Sequence, residues 1–72
     1  MSRANSVSKK YNRIKEVLDE RELSQTWLAE QLDLDFQTVT RYVNNKRQPS
    51  IPVLFEIARV LKLKAKDLLA DG

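Results

Sequence analysis

Gln37, Thr40, Arg41 and Asn44 follow one another at i, i+3, i+4 and i+7, the spacing that lines one face of a short helix. Val39, Tyr42 and Val43 fall on the opposite face. A primary amide and a guanidinium are planar groups that hydrogen-bond in pairs, so this face suits recognition of flat polar edges better than bond-making. Asn45, Lys46 and Arg47 come next, and residues 36–55 contain no acid to neutralise them. Such a stretch suits a polyanion, although a solvated face and loop would carry the same residues. Catalytic chemistry has little to work with. The 72 residues include no histidine and no cysteine, which removes the commonest general base, the commonest metal ligand and any thiolate. The carboxylates sit on apparent helix surfaces rather than in a constellation, so no enzyme, metal or cofactor is expected.

Positioning that face takes a set of short helices. Residues 1–7 are polar and aperiodic, so a tail is expected over 1–8 and one domain over 9–70. Ser8 is a candidate cap for a first helix at about 9–21, with Tyr11, Ile14, Val17 and Leu18 as its apolar stripe. Ser24 then caps a short helix marked by Leu28, Ala29 and Leu32. Asp33 suits a left-handed turn, and Asp35 caps a third helix at about 36–44. Lys46-Arg47-Gln48-Pro49 reads as a loop. Ser50 caps a fourth helix that tolerates Pro52 in its first turn and buries Leu54, Ile57, Ala58 and Leu61. Leu63, Leu68 and Leu69 point to a short fifth helix near 65–70. No strand, repeat or membrane-length apolar run is present, so the expectation is a soluble, cytoplasmic, all-α domain of five short helices.

Charge is segregated along these elements. Residues 1–15 hold five bases and no acid, while residues 16–35 hold seven acids and one base. The net charge of +3 therefore hides a more polar distribution, which either a polyanion-facing surface or chance patterning of solvated faces would produce. Lys9, Lys10 and Arg13 stand near the start of the first helix, where the helix dipole disfavours them. A nearby polyanion or simple solvation would each offset that.

Residues 24–44 thus comprise a capped helix, a three-residue turn and a second capped helix, the spacing of a DNA-reading helix-turn-helix. Leu23-Ser24-Gln25, Leu28-Ala29, Pro49-Ser50 and Ile57-Ala58 with Leu61 together resemble the Xre/Cro family of lambdoid phage repressors, over roughly residues 12–69. The resemblance implies a lambda-repressor-like five-helix domain whose third helix enters the major groove, often in a symmetric dimer on an inverted-repeat operator. The family often has glycine where this chain has Asp33, Asn45 and Lys62. Its frequent arginine–glutamate pair between the first and third helices is replaced by Leu18 and Val43, which suggests a direct apolar contact.

The resemblance implies that Gln25 meets a DNA phosphate at the start of the second helix. Phe36, Gln37, Thr40 and Arg41 are the candidate base-reading residues. Glutamine can pair with adenine, arginine with guanine, and phenylalanine can press on a thymine methyl. Thr38, Asn44, Asn45, Lys46 and Arg47 are candidate phosphate contacts. Solvent exposure is the plain alternative for the threonines and Asn44, and a core contact for Phe36. Trp27 is expected to pack against a neighbouring helix, and Arg3 is a weak candidate for reaching a groove. Ile51, Phe55, Leu68 and Leu69 exceed what a small core needs and form a candidate homodimer seam, with ordinary core as the alternative. A transcriptional repressor on double-stranded DNA is the leading expectation. A phage repressor, a restriction–modification controller or an antitoxin with a toxin partner would all fit. The alternative is a protein-docking module that has lost DNA binding; acids on the outer face of the third helix would favour it, and there are none.

Overall fold

The computed structural model of the chain describes residues 10–70. Four α-helices run in order: α1 (Ile14–Glu20), α2 (Gln25–Leu32), α3 (Phe36–Val43) and α4 (Ile51–Leu61), followed by a 3-10 turn, Ala65–Leu68. The fold is all-helical, as expected, with the fifth helix reduced to that single turn. Three of the four α-helices start at hydroxyl or carboxylate caps. Ser24 accepts from the Trp27 N–H, Asp35 from Thr38 and Ser50 from Val53. One core gathers Ile14, Val17, Leu18, Leu28, Ala29, Val39, Tyr42, Val43, Leu54, Ile57, Ala58, Leu61 and Leu68. Leu18 and Val43 are both buried in it, consistent with an apolar contact at that place. Trp27 is half-buried against the same cluster.

The first helix begins later than the periodicity predicts. Helix over 9–21 shortens to Ile14–Glu20, and Tyr11 leaves the apolar stripe to lie exposed. Ser8 and Lys9 lie outside the described residues. The cause is a better set of partners for residues 11–13. The Arg13 N–H donates to the Leu68 carbonyl and the Ala70 N–H to the Tyr11 carbonyl, so Asn12 pairs with Leu69 in an isolated antiparallel bridge. Asn12 Oδ1 then accepts from the Ile14 N–H at 3.1 Å and starts the helix two residues later.

Each α-helix ends in the same way. Glu22, Asp33, Asn45 and Lys62 all take φ between 57° and 59°. The amide that follows each one reaches back to a carbonyl five residues earlier: Leu23 to Leu18, Leu34 to Ala29, Lys46 to Arg41 and Leu63 to Ala58. This is the left-handed helix stop in which glycine is the easiest occupant. The left-handed turn expected at Asp33 is therefore met, Asn45 and Lys62 take the same backbone where the family often has glycine, and Glu22 adds a fourth position that its residue type concealed. Lysine has no side-chain compensation for this backbone. Lys62→Gly should stabilise the domain by roughly 0.5–1 kcal/mol, which is a rise of about 3–5 °C in Tm for a chain this short. Thermal unfolding followed by circular dichroism checks this, and an unchanged or lower Tm would show that the left-handed backbone costs nothing there.

Candidate nucleic-acid interface

α3 is held at its start by an exposed carboxylate. Asp35 Oδ2 accepts from the Thr38 N–H at 3.1 Å, and Asp35 Oδ1 accepts from Thr38 Oγ1 at 2.7 Å. These bonds, the hydroxyl's first, hold the Asp35 carboxyl below its ordinary value of 3.8, with the Arg41 charge helping. The Thr38 hydroxyl donor is thereby spent inside the helix cap, which removes the group that a phosphate would need from it. A carboxyl depressed in the folded state stabilises above its unfolded pKa, and that contribution disappears as pH falls through the lower, folded value. Stability should therefore decline below about pH 4, with Glu56, depressed by the Arg59 guanidinium, acting in the same sense. Asp35→Asn, which keeps the cap without the charge, should flatten the acid limb of a pH titration of Tm; an acid limb as steep as that of the parent would rule out this source.

Beyond the cap, α3 presents Phe36, Gln37 and Arg41 to solvent, and Asn44 continues the exposed face at the helix end. Phe36 is 51% exposed, so it belongs to this surface and not to the core. Thr40 departs from the base-reading expectation. Its side chain is half-buried, and Thr40 Oγ1 donates to Gln25 Oε1 at 2.8 Å. The hydroxyl proton is engaged within the domain, in a bond that holds the Gln25 amide in place. With Oε1 held, Gln25 Nε2 remains as a donor beside the first main-chain amides of α2, which have no partner within the helix. Lys15, Asp19, Ser24 and Gln25 border an open recess of about 240 Å³ there, which Leu18, Leu23 and Val43 also line. Lys15 was not singled out by sequence reasoning, because only the fold brings the outer face of α1 to the start of α2.

The loop after α3 differs from the other helix ends. Where Leu23, Leu34 and Leu63 follow the left-handed residue and pack against the core, the equivalent residue here is Lys46, which is exposed. The usual apolar lock of such a stop is absent at this one helix. The Lys46 and Arg47 N–H groups both donate to the Arg41 carbonyl, at 2.9 and 3.3 Å, so both basic residues are tied to the end of α3. Asn45 does not share their outward role. Asn45 Oδ1 accepts from the Tyr11 and Asn12 N–H groups and from Gln48 Nε2, and Asn45 Nδ2 donates to the Asn12 carbonyl. Its amide oxygen accepts three bonds and one of its two Nδ2 hydrogens donates, all within the domain, so the side chain faces the docked segment, against its expected placement among the phosphate contacts.

The candidate seam residues separate into two groups. Ile51, Phe55 and Leu69 are exposed at 66%, 61% and 47%. Leu68 is fully buried in the domain's own core, so it is corrected from seam to core residue. The 3-10 turn aims Leu68 inward while the extended backbone at Leu69 turns the next side chain out. Among the described residues no group of acids could hold a metal ion, and no helix is long and apolar enough to cross a membrane.

The sequence profile of a helix-turn-helix family matches residues 14–68. A crystal structure of a candidate DNA-binding protein from Bacteroides fragilis is similar at 39% identity and a TM-score of 0.79, covering 82% of this chain and 95% of that one. No curated protein matches the sequence significantly.

Proposed function

Because the chain belongs to the Xre/lambda-repressor type of the helix-turn-helix family, whose members bind DNA and regulate transcription, we propose that it is a cytoplasmic repressor that reads the major groove with α3 and binds an inverted-repeat operator as a homodimer. One observation carries this reading. The exposed face of Phe36, Gln37, Arg41 and Asn44 runs without interruption, and without any acid, into Lys46 and Arg47. Gln37 and Arg41 supply the paired hydrogen bonds to base edges, and Phe36 supplies an apolar contact to a thymine methyl. Asn44, Lys46 and Arg47 grip phosphates on one side of the groove. On the other side, Gln25, oriented by Thr40, offers Nε2 and the α2 N-terminus to a phosphate.

A single α3 covers few base pairs, and a two-fold dimer doubles what is read. Ile51 and Phe55, four residues apart on α4, make the apolar patch assigned to that seam. Leu69 is exposed as well and is a further seam candidate.

Titration of a fluorescent duplex at two salt concentrations tests the reading. Salt-sensitive binding is expected, and Lys46→Ala and Arg47→Ala should each weaken binding on every sequence while lowering the salt slope by about one. An unaltered slope in both variants would remove the loop from the phosphate contacts. No binding at low salt would turn the assignment to a protein-docking module, for which a toxin is one candidate partner. Sedimentation of Phe55→Asp checks the seam: the parent should form dimers on the operator and the variant should not.

A further inference from the structure

Asn12 is the one buried polar residue among the described core, at 1% exposure, and its side chain makes three hydrogen bonds to three different segments. Asn12 Nδ2 donates to the Tyr42 carbonyl at 3.0 Å, in the last turn of α3, and to Gln48 Oε1 at 2.8 Å, in the loop. Asn12 Oδ1 starts α1 through the Ile14 N–H. On the same residue, the main-chain N–H and carbonyl both pair with the Asn45 amide, at 2.9 and 3.1 Å. Asn45 therefore pairs with the Asn12 backbone much as a neighbouring strand would, opposite the pairing that Asn12 already makes with Leu69. Gln48 Nε2 closes the ring by donating to Asn45 Oδ1 at 3.1 Å.

This ring stands where the other three helix ends have a leucine. At those ends, an apolar residue after the left-handed position locks the chain onto the core. At α3 that residue is Lys46, pointing to solvent, so no apolar lock exists. Asparagine is also the residue that meets both demands at position 45. It tolerates a φ of 58° and, unlike glycine, carries an amide to anchor the loop. We infer that the Asn12–Asn45–Gln48 amide clamp is the positioning element of the DNA-binding loop: it replaces the apolar lock so that Lys46 and Arg47 can both face phosphate, and it makes their grip depend on the docked segment Tyr11–Arg13. This rests on the DNA-binding reading given above.

Asn45→Gly isolates the clamp, because glycine keeps the left-handed backbone and removes only the amide. In duplex titrations the variant should bind roughly tenfold more weakly, with a salt slope smaller by about one to two, as Lys46 and Arg47 lose their fixed positions. The base preference selected under α3 should stay the same. Hydrogen exchange on the DNA-free protein gives a second readout that does not require DNA binding. Protection of the Asn12, Lys46 and Arg47 amides should fall at least tenfold, roughly, while the Val39 and Ile57 amides keep theirs. Equal affinity and salt slope in parent and variant would overturn the clamp's part in binding. Unchanged protection at Lys46 and Arg47, or a uniform loss that includes the core, would overturn it as a local positioning element. A parent that fails to bind any duplex, with the local loss of protection still seen, would leave the clamp standing and remove DNA as the ligand that it serves.

Discussion

Leu68→Ala is expected to unfold a large share of the protein at 37 °C. The side chain is fully buried, it comes from the last turn of the domain, and its carbonyl holds the Arg13 N–H at 2.8 Å. Truncating such a leucine leaves a cavity that costs about 2–5 kcal/mol. The whole stability of a domain this small falls near the low end of the ~5–15 kcal/mol range. Thermal unfolding should show a Tm lower by roughly 10–20 °C or more. Leu69→Ala is the internal comparison, because its neighbouring side chain is 47% exposed and contributes far less to the core. If both variants melted alike, Leu68 would not hold the place in the core that its burial implies. The pair also separates core from seam, since a seam residue would alter association without this loss of monomer stability.

The second large effect is expected at Arg41. Its side chain is exposed at the middle of the reading face, while its main-chain carbonyl receives the Lys46 and Arg47 amides. Arg41→Ala removes the guanidinium and leaves that carbonyl in place, and alanine is a better helix former than arginine. The fold should therefore persist. A bidentate arginine–guanine pair discriminates by about 1–3 kcal/mol, so preference at one base pair should fall by roughly 5- to 150-fold. Competition between duplexes differing at that base pair measures this. Losing the charge should also weaken binding to all sequences modestly, so the diagnostic result is the ratio between duplexes and not the affinity itself. A retained ratio would assign discrimination to Gln37, Phe36 or DNA shape instead.

The two substitutions rest on different parts of the sequence's information. Apolar spacing and cap residues were enough to find α2, α3 and α4, because Ser24, Asp35 and Ser50 do in the fold what their types favour. The reading face was visible for the same reason, since i, i+3, i+4, i+7 spacing is a property of any helix. What periodicity could not show was pairing across the chain. Tyr11 has the right spacing to extend α1, yet residues 11–13 pair with Leu68–Ala70 instead, a partnership set by contacts more than 50 residues apart. Thr40 and Thr38 look equally free in a helical projection, and only the fold shows their hydroxyls bound to Gln25 and Asp35. Asn45 looked like a polar loop residue facing outward, although its standing where glycine is common already hinted at the left-handed backbone. That its amide faces Asn12 depends on the docking of residues 11–13 against Leu68–Ala70.

Lys46 illustrates the converse. Its type alone says only that it is charged, whereas comparison with Leu23, Leu34 and Leu63 shows that a position usually spent on holding a helix end is here given to a cation. The two carboxylates Asp33 and Asp35 fall on the turn before α3 and not on its outer face, so they turn and cap the chain without adding acid to that face.

The most direct test of the central claim is selection of the purified protein on a random duplex library, repeated with Arg41→Ala. A protein that reads the major groove through α3 as a dimer should recover a short inverted repeat, with the half-sites about one helical turn apart. The variant should lose one base position in each half. Retention of duplexes with no shared motif, or an inverted repeat unchanged by Arg41→Ala, would contradict base reading by this face.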